Sequence, residues 1–270
     1  MGGGVGFANV SGPWLLRALV ALPLGLAVGS FMTVAVARMP KGQSVSKPRS
    51  RCPACAAEIG WRDNIPIASW LLLRGRCRAC GEPISIEYPL LELATTIVVV
   101  GAALRYEDPW QAVLVAGLLC MMPAVTIIDI RYRIIPNRLM YPSLIVFPAY
   151  VVIGWLLGGP LFPISAALGL LAFGGGLLII AVASRGMGLG DVKLAGVIGV
   201  ALGALGLRYV GVAAAAAVVL GGLGGLMALA LGKGRKSAIP FGPYLAAGAI
   251  VAAFWGENLA HWYLRTLGSG

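Results

Sequence analysis

Charge is what this sequence has least of. Only 11% of its 270 residues are Asp, Glu, Lys or Arg, against roughly 25% in a soluble globular domain. With 59% of the chain hydrophobic, a water-facing surface would leave far more apolar area exposed than a soluble fold tolerates. Histidine is rarer still: His261, in the C-terminal tail, is the only one. A lone imidazole there excludes an HExxH zinc protease and makes a Ser–His hydrolase a poor fit. The chain has ten acidic residues and five cysteines. So small a set allows each potential acid, base and metal ligand to be weighed singly.

Apolar runs are what the sequence has instead. Stretches of about 20 residues, the length a hydrocarbon core of about 30 Å requires, recur along the chain. Eight spans are expected, near 14–37, 88–105, 110–130, 139–158, 163–183, 191–206, 209–231 and 241–258. The first exceeds a signal-peptide core in length and carries Arg17 in its first turn, so it is read as a retained helix. The fold class is therefore an all-α polytopic membrane protein. Glycine clusters at Gly174 to Gly176 and Gly221 to Gly225 fall inside apolar runs, where small residues allow close helix packing.

The net charge of +11 would suggest nucleic acid in a soluble protein. Here the basic residues lie mostly between apolar runs, so no nucleic-acid partner is expected and membrane lipid is. With the N-terminus outside, 17 of the 21 Lys and Arg residues fall on the cytoplasmic side, as the positive-inside rule requires. Nine are in 38–87, three near 131–138, three in 233–236, and the last two are Arg185 and Lys193. Three parts follow: an N-terminal helix (1–37), a polar cytoplasmic segment (38–87), and a membrane domain (88–270).

The polar segment is too small for an ordinary core and needs a staple. Cys52, Cys55, Cys77 and Cys80 supply one as C-x2-C and C-x2-C with 21 residues between. Two such turns complete a tetrahedral zinc site with no open position, which makes the metal structural. A pair of redox CxxC motifs is the alternative. Cys120 lies mid-span and reads as a small buried apolar residue.

Seven of the ten acids fall in polar segments or chain ends and are solvated by default. Glu92, Asp129 and Asp191 lie against apolar sequence, where an ionisable group is costly and marks function. Asp129 closes the third span and Asp191 opens the sixth, both at the cytoplasmic face. Two carboxylates in a partly dry site divide acid and base roles, as peptide hydrolysis by an aspartyl pair requires. Two other readings stand beside this one. Each Asp pairs with a neighbouring cation, Arg131 or Lys193, or caps a helix; or the pair serves ion transport.

The motifs in order resemble a known family. They are Gly29-Ser30-Phe31, Arg51-Cys52-Pro53-Ala54-Cys55, Cys77-Arg78-Ala79-Cys80, Tyr88-Pro89-Leu90-Leu91-Glu92, Asp129 with Ile135-Pro136-Asn137, Gly188-Leu189-Gly190-Asp191, and Ile239-Pro240-Phe241-Gly242-Pro243. Together they resemble the prepilin peptidases, or type IV leader peptidases, of the GxGD class of membrane aspartyl proteases. The resemblance implies an enzyme of the bacterial plasma membrane whose active site faces the cytoplasm. It implies cleavage of the basic leader from type IV prepilins or pseudopilins by Asp129 and Asp191. It also implies zinc on Cys52, Cys55, Cys77 and Cys80, and N-methylation of the new terminus with S-adenosylmethionine, with Glu92 a candidate for that second step. Thr33 and Glu87 depart from the family pattern, which commonly has Asn and often Arg there.

Overall fold

The computed structural model describes residues 13–184, 187–232 and 240–268. Arg185, Lys233, Arg235, Lys236 and Ile239, all used in the sequence argument, lie outside the described residues. The helices are α1 (Pro13–Arg38), α2 (Ala68–Leu72), α3 (Glu87–Arg105), α4 (Pro109–Leu119), α5 (Met122–Tyr132), α6 (Asn137–Leu156), α7 (Pro163–Gly169), α8 (Gly176–Ser184), α9 (Leu189–Gly203), α10 (Leu207–Ala230) and α11 (Gly242–Gly268). Helices α4 and α5 run on as one apolar rod. So do α7 and α8, through a wider π turn over Leu170–Gly175. Among the described residues the only strand-like pairing is two isolated antiparallel bridges, Arg51 with Glu58 and Arg76 with Pro83.

Among the described residues eight helical rods stand where eight spans were expected, and six of them are long and apolar enough to cross a membrane. They make the protein a multi-pass membrane protein. The rod α11 is long but less apolar. Helix α9 differs most. Its 15 residues rise only about 22 Å at 1.5 Å each, short of the hydrocarbon thickness. Every residue from Leu194 to Gly203 is buried, so α9 is enclosed by protein and does not need a lipid-matched length.

Glycine makes that enclosure possible. A Cβ on Gly199 would lie 2.3 Å from the Gly169 carbonyl oxygen, and one on Gly174 would lie 2.9 Å from the Gly196 Cα. The rods meet backbone to backbone, as small residues permit in lipid. The same device joins α1 to α3, where a Cβ on Gly29 would lie 2.9 Å from the Glu92 Cα. The packing reading of the glycine clusters therefore holds for Gly174, whereas Gly175 and Gly222 face open space. Gly221 and Gly224 leave room for the Phe241 and Tyr244 rings.

Contacts at the two ends of the bundle show which termini lie together. At one end Tyr106 donates to the Ala253 carbonyl at 2.6 Å, and Glu257 pairs with Arg105 and Arg208. At the other, Gly242 meets Asp129, Lys193 meets Asn137, Arg138 reaches the Gln43 carbonyl and Arg131 pairs with Glu87. All three intramembrane acids sit toward this second end.

Candidate active site

The segment between α1 and α3 folds around its cysteines. In the first turn the Cys52 N–H donates to Ala57 and the Ala56 N–H to Cys52; in the second, Cys77 donates to Glu82 and Gly81 to Cys77. The residue after each second cysteine, Ala56 and Gly81, takes a positive φ. The two turns are copies of one hairpin knuckle. They bring all four sulfurs within 4.8 Å of one another. Cys52 and Cys80 stand 3.8 Å apart, about the spacing that four sulfurs on 2.3 Å bonds to one zinc ion would have.

The donor set could hold a metal ion. Backbone hydrogen bonds from Cys55 and Ala54 lower the Cys52 thiol to about 7. Cys80 is helped downward by the Glu82 backbone, yet loss of hydration and the thiols of Cys55, Cys77 and Cys52 push it up to about 12. Thiols must lose their protons to hold a metal ion, and crowding of four of them opposes that loss in its absence. Beside them, Arg78 forks onto Asp63 with contacts of 2.7 to 3.0 Å. This holds the Asp63 carboxyl below its usual range, first by hydrogen bonding and then by charge.

Asp129 is buried near the end of α5. The N-terminus of α11 is pressed against it: the Gly242 N–H donates to Asp129 Oδ2 at 2.9 Å, and a Cβ on Gly242 would lie 2.7 Å from that oxygen. The first N–H groups of a helix lack internal partners and carry partial positive charge, so α11 offers the carboxylate a fixed donor. Only glycine allows the approach.

Asp191 occupies the first turn of α9, which begins after Gly188. It is half-buried and lies within electrostatic reach of Asp129. A Cβ on Gly190 would lie 3.0 Å from the Ile135 Cβ. The start of α9 is thus seated on the turn that follows Asp129, which brings Asp191 toward Asp129.

The cations that could have neutralised the pair are engaged elsewhere. Lys193 donates to Asn137 Oδ1 at 2.8 Å and to the Tyr141 hydroxyl at 3.0 Å, with the Tyr141 ring 4.5 Å away. Arg131 turns to Glu87. Glu87 departs from the family pattern, and its partner stands two residues past Asp129. Nothing in the sequence paired these two residues.

Glu92 is in neither cluster. It is buried on α3, where its Oε2 accepts the Ile67 N–H at 2.7 Å and the Ser30 side chain also bonds to it. It lines a cavity of about 680 Å3 between α1, α3 and the cysteine segment. The sequence pointed to Glu92 but gave no sign of the cavity, because its walls come from residues 30 to 92 folded back on themselves. Cys120 is buried in the core and His261 is exposed.

No solved structure matches this chain. Residues 24–106 match the Bacterial Peptidase A24 N-terminal domain, and residues 112–231 match the Type IV leader peptidase family. The prepilin leader peptidase/N-methyltransferase of Aeromonas hydrophila is 32% identical over 93% of this chain and 95% of its own. The protein of that name from Bacillus subtilis is 33% identical over 89% and 95%. With both domains matched in order and relatives aligned over nearly their full length, the chain belongs to the type IV leader peptidase family.

Proposed function

We propose that this protein cleaves the leader from prepilin or pseudopilin substrates with Asp129 and Asp191, and then methylates the new N-terminus. The observation that carries the cleavage reading is the shared location of the two carboxylates. They come from separate helices, lie within electrostatic reach, and have their nearest sequence cations bound to other partners. The relatives' names add the substrate class and the second activity.

Two nearby carboxylates do not both ionise readily, so one keeps a proton. The ionised one removes a proton from water as it attacks the scissile carbonyl. The other protonates the carbonyl oxygen to give a tetrahedral diol; as the diol collapses it takes that proton back, and the first aspartate passes the water-derived proton to the leaving amine. The pair titrates as a unit. The substrate's apolar helix lies in the bilayer beside the rods, with its basic leader on the cytoplasmic side. The basic residues of 38–87 and of the turn after Asp129 set that orientation, in the bacterial plasma membrane.

Cys52, Cys55, Cys77 and Cys80 would hold zinc, which supplies a structural cross-link and no reaction step. The chain then divides into the N-terminal helix (1–37), the metal-stapled segment (38–87) and the membrane peptidase domain (88–270). S-adenosylmethionine would supply the methyl group to the N-terminal half. Incubating the purified protein with a prepilin and sequencing the product tests the proposal. A new N-terminus at the leader junction, heavier by one methyl group, is expected. An intact prepilin would overturn the cleavage reading.

A further inference from the structure

The cavity beneath the cysteine knuckles falls within the volume range of small-molecule sites. Neither Asp129 nor Asp191 lines it. Its walls include Ser30 and Thr33 of α1, Tyr88 and Glu92 of α3, and Trp70 from the segment between. Of the other carboxylates along it, Asp63 is taken by Arg78 and Glu58 by Arg49, and Glu82 is exposed on the second knuckle.

Glu92 differs from all of these. It is 8% exposed, and its partners, the Ile67 N–H and the Ser30 side chain, are neutral. The first contact is made by strained backbone. Ile67 is β-branched yet sits at φ +62°, in a tight turn closed by the Ala68 N–H on the Pro66 carbonyl. A β-branched residue rarely adopts that conformation, and such strain gathers at functional sites. A buried carboxylate with neutral partners, on the wall of a ligand-sized cavity, is matched to a cation.

The processed substrate presents one, because a freshly cut N-terminus is an ammonium ion. We propose that Glu92 seats the N-terminal amine of the cleaved pilin in this cavity and takes its proton as the amine is methylated. The inference rests on the methyl-transfer reading above. In the step, the amine nitrogen forms a bond to the methyl carbon of a sulfonium donor. Glu92 first takes a proton from the ammonium and so frees the nitrogen lone pair that makes this bond; the carbon–sulfur bond breaks with its electron pair going to sulfur, and the product is a methylated ammonium.

Trp70 supplies an aromatic wall for such a donor. Its indole N–H is fixed on the Ile84 carbonyl at 3.0 Å, and Gly75 leaves space for its ring. The path from cleavage is short. Tyr88 of the cavity follows Glu87, whose partner Arg131 stands two residues past Asp129.

The test uses the full-length, zinc-loaded protein in detergent. Labelled peptides that copy the processed N-terminus, with a free or an acetylated amine, are titrated by fluorescence anisotropy. S-adenosylhomocysteine is titrated by calorimetry. The wild type is expected to favour the free amine by about tenfold or more, as a desolvated charge pair implies. Glu92→Gln keeps an acceptor for the Ile67 N–H. It should abolish that preference and cut the methylated share of cleaved product about 100-fold, the weight of a proton acceptor. Binding of S-adenosylhomocysteine should persist. Zinc content and cleavage report whether the variant is folded, and Glu92→Asp should recover part of the amine preference. An unchanged preference or an unchanged methylated share in folded Glu92→Gln would overturn the proposal alone. A wild type that cleaves but neither methylates nor binds S-adenosylhomocysteine would overturn the methyl-transfer reading and this inference with it.

Discussion

Asp129 is held where α11 leaves no space for a Cβ, whereas Glu92, at the same end of the molecule, borders a cavity of about 680 Å3. The first region is made rigid by glycines that let helix backbones touch. The second is made by two cysteine knuckles that fold a polar segment over the start of α3. A carboxylate pair that must act on a peptide bond gains from fixed donors and little freedom. A chamber that admits a peptide end together with a nucleoside-sized donor needs volume. Tight helix packing cannot leave such volume without collapsing around it, and a cross-linked loop can.

The most severe break of this comparison is removal of either carboxylate proposed for cleavage. Asp129→Asn and Asp191→Asn should each lower prepilin cleavage by on the order of 1000-fold or more, while zinc content and binding of a processed peptide stay at wild-type levels. A gel-based cleavage assay and metal analysis read both sides. If either variant cut at the wild-type rate, the pair would not be the cleavage site.

Gly242→Ala attacks the same region through packing alone. The added Cβ would stand 2.7 Å from Asp129 Oδ2, so α11 or the carboxylate must move. Cleavage should fall by about 100-fold, the order of loss that misplacement by an ångström brings. Methylation of a synthetic pre-cleaved peptide should be spared. Equal loss of both activities would show that the two regions are not independent.

Cys77→Ser acts from the opposite side. It should release the zinc and lower methylation of the pre-cleaved peptide by roughly 10- to 100-fold, the range seen when support around a metal centre is lost. Cleavage should persist, because Asp129 and Asp191 lie on α5 and α9, outside the cysteine segment. Full zinc occupancy in this variant would contradict the ligand assignment.

The gentlest probe is the bridge between the regions. Glu87 and Arg131 are both partly exposed, so Arg131→Ala should cost less than about 1 kcal/mol in stability. It should nonetheless raise the fraction of product released unmethylated. The exchange Glu87→Arg with Arg131→Glu should restore the wild-type fraction, as mass spectrometry of the product would show.

Much of the fold was legible. Hydrophobic run length placed the rods to within a few residues, since lipid imposes its thickness on any helix that faces it; the exception is α11, which runs to Gly268 where an end near 258 was expected. The rule also placed α9, expected at 191–206 and found at Leu189–Gly203, but not as a rod able to cross the hydrocarbon, because α9 is surrounded by protein and is free to be short. The four cysteines were legible because ligand spacing is local, and the knuckle repeats within a few residues. The cavity and the strained turn at Ile67 were not, because they arise from contacts between residues far apart in the chain.

The sequence by itself determined the membrane class, the paired spacing of the four cysteines and the scarcity of acids that singled out Glu92, Asp129 and Asp191. Composition and local spacing carry those properties wherever the chain goes. Only the tertiary structure decided what each acid faces. It set Gly242 against Asp129, drew Lys193 and Arg131 away from the pair, and opened a chamber beside Glu92. Those outcomes depend on which backbones approach within a few ångströms, and a linear pattern does not encode that distance.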